Sequence, residues 1–490
     1  MERKYISDII SEENIKGWLP GDKIVINSPT GSGKSVFVKT KLAKFAREKD
    51  VKILLLTNRN ILKDQVIIEI KNDPAIRVLN YQGLTKIIKE SEFDFSQYQY
   101  VVCDECHFFF TDSYFNSETD ISLDYLTNLK DHVTLFLSAT CETFKGYMKD
   151  KNAKYYVLDN ELNCTGMYYF FNRKTITSLL ENLPENEKAI YFCSNIENAY
   201  ALHKRFEDRS SFICSENNRK YSQLSNEDTR NKIVEEAKFD KQILFTTKIL
   251  DNGVNIKDRS LKHIITDIFD FDTIQQCIGR KRILDENDKI NIYIKQFKQN
   301  SIQSYLNQWN KTVMYGNYFL NMERDEYVKL YGRQNTNGLI YAAYGNSGMV
   351  LKLNEAFYYK LNSDIKDCQT ITEYHKNSCQ RLGHLQILCN RYKINVDQFK
   401  NLDDTITTDV FTEQLSKFMD VKMFKEEQKQ FKAFIKENAV KTVAKTRSAL
   451  GINTINGYFE DNKILYGVSS YQETSGKNKG RRYWKLYKKI

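Results

Sequence analysis

Two α/β domains in tandem, each built on a parallel β-sheet and followed by a mainly helical C-terminal region, are the architecture this sequence predicts. Three observations predict it. Short β-rich runs alternate with polar, helix-length segments from Lys23 to about Leu158, as βαβ units around a buried parallel sheet require. The same alternation restarts at Lys188 and continues to Ile294. All four prolines, Pro20, Pro29, Pro74 and Pro184, precede the later part of the chain, which from about Asn300 turns Asn-, Lys- and Tyr-rich with longer helical periodicity.

Each element has a local reason. In the first domain Lys23–Asn27, Val51–Leu56, Ile76–Leu79, Tyr100–Cys103 and Thr134–Leu137 are short runs rich in β-branched and large apolar residues, and Val36–Arg47 between the first two is helical. In the second, Lys188–Cys193, Phe212–Cys214, Gln242–Thr246, His263–Thr266 and Ile290–Ile294 read the same way, with Ile196–Phe206 as a helix. The joint falls near Asp159–Met167. The expected division is 1–160, 161–300, a helical region 301–424 that includes the periodic stretch Asp397–Met423, and a last segment 425–490. No internal repeat of fixed period is present.

Composition narrows the class. The 490 residues are 41% hydrophobic and 28% charged, which excludes a wholly disordered, collagenous or low-complexity chain. Lys and Arg total 73 against 63 for Asp and Glu, a formal charge of +10 that suits a polyanionic partner and equally suits solubility. The N-terminus lacks the apolar core of a signal peptide, and no run approaches the roughly 18 apolar residues of a membrane span, so a cytoplasmic protein with no membrane partner is expected. Ten scattered cysteines are then reduced thiols rather than a disulfide framework.

Two motifs carry chemistry. Ser28-Pro-Thr30-Gly31-Ser32-Gly33-Lys34-Ser35 lies between a strand and a helix, the context of a phosphate-binding loop. Gly31 and Gly33 let backbone amides approach phosphates, Lys34 reaches the β and γ phosphates, and Ser35 ligates magnesium, with Thr30 and Ser32 completing the cradle. The alternative is a glycine–serine turn with no ligand. The second motif, Tyr100-Val-Val-Cys-Asp104-Glu105-Cys-His107, ends a buried strand in adjacent acids, where Asp104 can hold a magnesium hydration shell and Glu105 can polarise an attacking water. Cys103 and Cys106 have no second cysteine pair nearby and read as buried strand-end residues rather than zinc ligands.

With these motifs in place, the first 300 or so residues resemble the superfamily 2 DExH/D-box helicases and translocases. The resemblance implies two recA-like domains, ATP and magnesium as cofactors, and a nucleic-acid partner, DNA rather than RNA, with replication or repair proteins as further partners. Leu56-Thr-Asn-Arg59 with Leu62 and Gln65, and Tyr81-Gln82-Gly83, resemble segments that touch the nucleic-acid backbone, so Arg59 and Gln82 are implied contacts. Ser138-Ala-Thr140 resembles the hinge triplet coupling hydrolysis to domain movement. Thr246-Thr247 through Gly253-Val-Asn255 resembles the motif that meets both backbone and nucleotide, implying Thr247 for the former and Gly253 for the latter. Gln276-Cys-Ile-Gly279-Arg280-Lys-Arg282 resembles the arginine-finger motif, implying catalytic roles for Gln276 and Arg280. The family's second arginine position holds Ile283, with Arg282 one residue early, so Arg280 is the expected finger and Arg282 a further nucleotide contact.

Weaker features are read beside these. Cys368, His375, Cys379, His384 and Cys389 match no common zinc spacing and are expected to pack in a core, as is the aromatic stretch Met314–Phe319. From 425 onward, helices at Glu426–Asn438, Thr442–Leu450 and Asn453–Asp461 and strands at Ile464–Tyr471 and Arg481–Tyr487 suggest a winged-helix-like module. Its tip and second strand offer Lys477, Lys479, Arg481, Arg482 and Trp484 for phosphates and bases; the alternative is a solvated basic tail. The leading function is an ATP-dependent helicase or translocase. Its rivals are the motor subunit of a restriction-type complex and a nucleic-acid clamp that has lost catalysis.

Overall fold

A computed structural model describes residues 4–489 except 59–66, 68, 69, 71, 72, 91–93, 159–163, 217, 252–254, 333, 335, 346, 347, 378–380, 439–449, 462 and 463. The chain divides into two compact units, one of Met1–Met167 with Pro184–Phe399, the other of Tyr168–Leu183 with Lys400–Ile490.

The larger unit holds both parallel sheets. In the first, β1 (Lys23–Asn27), β2 (Lys52–Thr57), β3 (Ile76–Asn80), β4 (Tyr98–Asp104), β5 (Val133–Ser138) and β6 (Lys154–Val157) lie in the order β3-β2-β4-β5-β1-β6. All five expected strands are present, and β6 is an addition. Val25, Leu54, Val101 and Phe136 are wholly buried on one face, and Ile24, Ile26, Ile53 and Leu135 on the other, which is why these strands read as continuous apolar runs. The helix expected at Val36–Arg47 begins earlier and is not uniform. Helical turns at Lys34–Phe37 and Ala43–Glu48 flank a π-helical segment, Val38–Leu42.

Strand β7 (Cys164–Phe170) occupies part of the stretch read as a joint, whose residues 159–163 lie outside the described set. Beyond it β8 (Lys188–Phe192), β9 (Ser210–Ile213), β10 (Ile243–Thr246), β11 (Leu261–Thr266) and β12 (Ile290–Lys295) run parallel in the order β12-β11-β8-β10-β9. The tandem parallel-sheet architecture is therefore the observed one. Long helices follow at Gln299–Asn321 and Glu355–Asn377, with Gly383–Tyr392 beyond them. The region is not purely helical, because Ile340–Gly345 and Gly348–Leu353 form an antiparallel hairpin. On the first of these helices Tyr315 and Phe319 are buried as expected, while Met314 is exposed.

The smaller unit packs helices Arg173–Glu181 and Leu402–Ser416 together, with Asp403 accepting from Phe171 N at 2.8 Å and Thr175 Oγ1 at 2.5 Å. Its apolar core gathers Phe411, Leu415, Phe431, Ile435, Leu450, Ile455, Phe459, Val468 and Leu486. Helices Lys425–Asn438 and Ile452–Asp461 and an antiparallel hairpin of Tyr466–Gln472 with Arg482–Lys488 match the expected elements, whereas all but the last residue of the helix read at Thr442–Leu450 lies outside the described residues.

Candidate active site

Strand register assembles the site. β4, β5 and β1 are neighbours, Asn27 pairs with Ser138 and Asp104 with Leu137, so three motifs leave the sheet at the same carboxyl edge. In the loop after β1, Gly31 and Gly33 hold φ of 81° and 83°, a left-handed backbone that a Cβ would strain. Ser28, where the motif usually begins with glycine, is wholly buried. Its amide donates to Ser138 O at 3.1 Å, as glycine's would, and its Oγ accepts from Ser32 Oγ at 2.9 Å, so the serine side chain braces the loop internally. Lys34 Nζ donates to Ser28 O at 2.8 Å and Pro29 O at 3.1 Å. Burial lowers its pKa, against the carboxylates of Glu105 and Asp104, and the charge of Arg282 lowers it further. Ser35 follows, exposed, and Thr30 is half-buried.

Asp104 closes β4, its backbone carbonyl accepting from Tyr81 OH at 2.7 Å. Glu105 then takes φ of 51°, a conformation uncommon for a non-glycine residue. Its Oε2 lies 3.4 Å from both His107 Nδ1 and Ser138 Oγ, and those two are 2.9 Å apart. Burial, then the neighbouring Glu105 charge, raises the Asp104 pKa to about 6. Burial pushes Glu105 upward too, but the His107 hydrogen bond and the charges of Lys34 and Arg280 hold it below the usual range. This crowding of buried acids suits a divalent cation. Ser35 and Asp104 are oxygen donors of the kind magnesium takes, an ion that needs few protein oxygens and completes its shell with phosphate and water.

The second domain reaches this edge through the helix Phe271–Gly279. Gln276 Nε2 donates to Thr140 Oγ1 at 3.1 Å, and the Thr140 amide donates to Ser138 Oγ at 3.0 Å. Arg280, 3% exposed, donates from Nη2 to Gln276 Oε1 at 2.7 Å and from Nε to Gln276 O at 3.0 Å. A connected path thus runs from Glu105 through His107, Ser138, Thr140 and Gln276 to Arg280. Gly279 lies tight against the phosphate loop, since a Cβ there would stand 2.6 Å from Thr30 Oγ1. Arg282 sits in a short bridge in which Ile256 N donates to Arg280 O and Arg282 N to Ile256 O, and its Nε donates to Asn255 Oδ1 at 2.7 Å. The charge of Arg280 acts on Glu105 and that of Arg282 on Lys34.

The remaining expected residues lie elsewhere. Arg59, with Leu62 and Gln65, and Gly253 fall outside the described residues. Gln82 is exposed on the first turn of the helix Tyr81–Glu90, and Thr247 is half-buried directly after β10. Lys477, Lys479, Arg481 and Arg482 are exposed on the hairpin of the smaller unit. Trp484 there is half-buried against the core, with Lys432 Nζ 4.6 Å from its ring centre. Of the cysteine–histidine group, Cys379 is outside the described residues and Cys368 and Cys389 are buried. His384 bonds Phe269 O at 2.8 Å and stacks on Phe271, and His375 Nδ1 bonds Gln299 Oε1 at 2.9 Å, which is core packing. Sequence reasoning gave Ser138 and Thr140 a role only as part of the hinge triplet and gave His107 none, although it stands inside a quoted motif; it missed Thr143, whose Oγ1 donates to Asp272 at 3.0 Å, because nothing local signals that contact.

Solved structures similar to the chain include the DEAD-box helicase Mss116 bound to ssRNA and UDP-BeF, at 14% identity over 59% of this chain and 69% of that one with a TM-score of 0.43. Others are dbp5 of S. cerevisiae bound to gle1 and IP6 (15%, 62% and 83%, 0.40) and a DEAD box protein from the hyperthermophile Methanococcus jannaschii (19%, 56% and 82%, 0.34). No curated protein is significantly similar to the chain. Residues 5–143 match the family described as type III restriction enzyme, res subunit, and residues 172–283 match the helicase conserved C-terminal domain. These two family models, in this order and together spanning a little over half of the 490 residues, place the chain in the superfamily 2 helicase family.

Proposed function

We propose that the protein is a nucleic-acid-dependent ATPase that couples hydrolysis to movement along or separation of a strand, with DNA as its polymer and the cytoplasm as its compartment. The observation that carries this reading is the side-chain path from Glu105 to Arg280, which joins a would-be water-activating carboxylate in one domain to an arginine in the other. In this reading the amides of Thr30–Ser35 and the Lys34 ammonium hold the phosphates of ATP, and Ser35 and Asp104 hold magnesium. Magnesium, when bound, neutralises charge on the phosphates. Glu105, kept ionised by His107 and the two cations, orients the attacking water, and Arg280 stabilises charge on the transferring phosphoryl group, an effect of about 10³–10⁵ in rate in related hydrolases.

Segments 1–160 and 161–300 then form the motor, 301–424 an accessory region, and 425–490 a winged-helix-like strand-binding module whose tip carries Lys477, Lys479, Arg481 and Arg482. Arg59, Gln82 and Thr247 complete the track on the motor, with Gly253 beside the nucleotide. Among the described residues no helix is long and apolar enough to cross a membrane. Lys34→Ala and Glu105→Gln test the reading together. Both should abolish magnesium-dependent ATP hydrolysis, the first with loss of nucleotide binding and the second with binding retained. Near wild-type turnover in Glu105→Gln would remove the assignment.

A further inference from the structure

The helix Phe271–Gly279 is gripped at its first turn by side chains remote from the nucleotide loop. Asp270 caps it, Oδ1 accepting from Thr273 N at 2.8 Å and Thr273 Oγ1 at 2.7 Å, while Oδ2 takes Lys360 Nζ at 2.6 Å. Lys360, 3% exposed on the helix Glu355–Asn377, also donates to Asp364 Oδ1 at 2.6 Å, and Asp364 Oδ2 accepts from Tyr114 OH at 2.7 Å. Two residues along, Asp272 is 2% exposed. Its Oδ1 takes Arg391 Nη1 at 2.6 Å and its Oδ2 takes Thr143 Oγ1 at 3.0 Å. Arg391 faces Asp367 at 3.6 Å and lies over the Phe271 ring at 4.8 Å.

Two cations from the helical region thus hold the start of the arginine-bearing helix, and Tyr114 and Thr143 from the first domain complete the grip. Burying such charges costs several kcal/mol per ion before their mutual attraction offsets it, so stability alone is a poor reason for them; apolar residues would pack as well. Position is a better reason. The nine-residue helix is a short rod, fixed at one end by Asp270 and Asp272 and at the other by the approach of Gly279 to Thr30. We propose that Lys360 and Arg391 are positioning residues for ATP hydrolysis, setting the helix so that Arg280 meets the site of Glu105. The proposal rests on the functional reading above. A displacement near 1 Å can cost about 10²-fold in rate, so a loosened grip should be felt in turnover.

The test uses the full chain in two forms, Arg391→Lys and the pair Lys360→Gln with Asp364→Asn, which keeps the net charge and takes from Asp270 its ion pair with Lys360 while leaving its Thr273 bonds. ATPase kinetics, thermal melting and amide hydrogen exchange are measured on each. The expected result is kcat lowered tenfold or more with KM changed less than threefold, melting held within a few degrees, and exchange rising in residues 271–279. Unchanged kcat, or unchanged exchange in 271–279, would overturn the proposal. A wild-type chain that hydrolyses no ATP would instead remove the functional reading, and the exchange measurement would still decide whether the grip holds the helix.

Discussion

Gly279→Ala places one methyl group directly against Thr30 of the phosphate loop. Built on the present backbone, the new Cβ would lie 2.6 Å from Thr30 Oγ1, 2.8 Å from Thr30 Cγ2 and 3.2 Å from Thr30 Cβ. Rotating the threonine exchanges one clash for another. Ordinary carbon contacts begin at about 3.5 Å, so helix and loop must part by about 1 Å. A misplacement of that size costs on the order of 10²-fold in turnover. Nucleotide affinity should change much less, because Lys34 and the loop amides belong to the first domain. Gly279 closes the helix Phe271–Gly279 without a left-handed φ, so alanine suits the helix itself, and the overpacking at Thr30 should lower melting by a few degrees at most while turnover falls far more. The assay is steady-state ATP hydrolysis of Gly279→Ala, Thr30→Ala and the double variant. Removing Oγ1 and Cγ2 should restore much of the lost rate, giving a large coupling energy in the cycle. Wild-type turnover in Gly279→Ala, or a loss that Thr30→Ala leaves unrelieved, would refute the argument.

Arg280→Ala should lower kcat by 10³-fold or more while ATP affinity falls only modestly, and a larger loss from Arg282→Ala would move the finger to the arginine nearer Lys34. His107→Ala should raise the pKa of Glu105, because a hydrogen bond that favours its ionised form is lost and the carboxylate is no longer held in place; kcat should fall at least several-fold with ATP affinity little changed, and an unchanged kcat would deny the coupling. The hairpin tip is best tested by Lys477→Gln, Lys479→Gln and Arg481→Gln together, since removing 475–490 would also delete the wholly buried Leu486 from the core of its unit. The triple variant should bind nucleic acid more weakly with a shallower slope of log K on log salt, and an unchanged slope would leave only a solvated tail.

What was legible in the sequence is what is local in it. The strands of both sheets announce themselves because both faces are covered, so their residues are apolar without alternation, as in Ile24–Ile26 and Val101–Cys103. The phosphate loop and the acidic box are contiguous segments whose chemistry needs a fixed spacing. The hairpin Ile340–Leu353 was readable too, since Gly345-Asn-Ser-Gly348 is a turn signal between β-rich runs, but helical periodicity on either side masked it. Contacts between distant residues left no trace. Gln276 with Thr140, Gly279 with Thr30 and Lys360 with Asp270 each join positions 90 or more residues apart, and no local pattern reports such a pair. The π-helical segment Val38–Leu42 is equally silent, because its residues would serve an α-helix as well.

In the proposed mechanism nucleic acid drives ATP turnover in the site framed by Lys34, Glu105 and Arg280. The direct measurement is the rate of magnesium-dependent ATP hydrolysis by the full chain alone and with single-stranded DNA, duplex DNA and RNA in turn. A low rate alone and a rise of at least tenfold with DNA, abolished in Glu105→Gln, are expected. A rate indifferent to every polymer, or a stimulated rate that survives in Glu105→Gln, would contradict that mechanism.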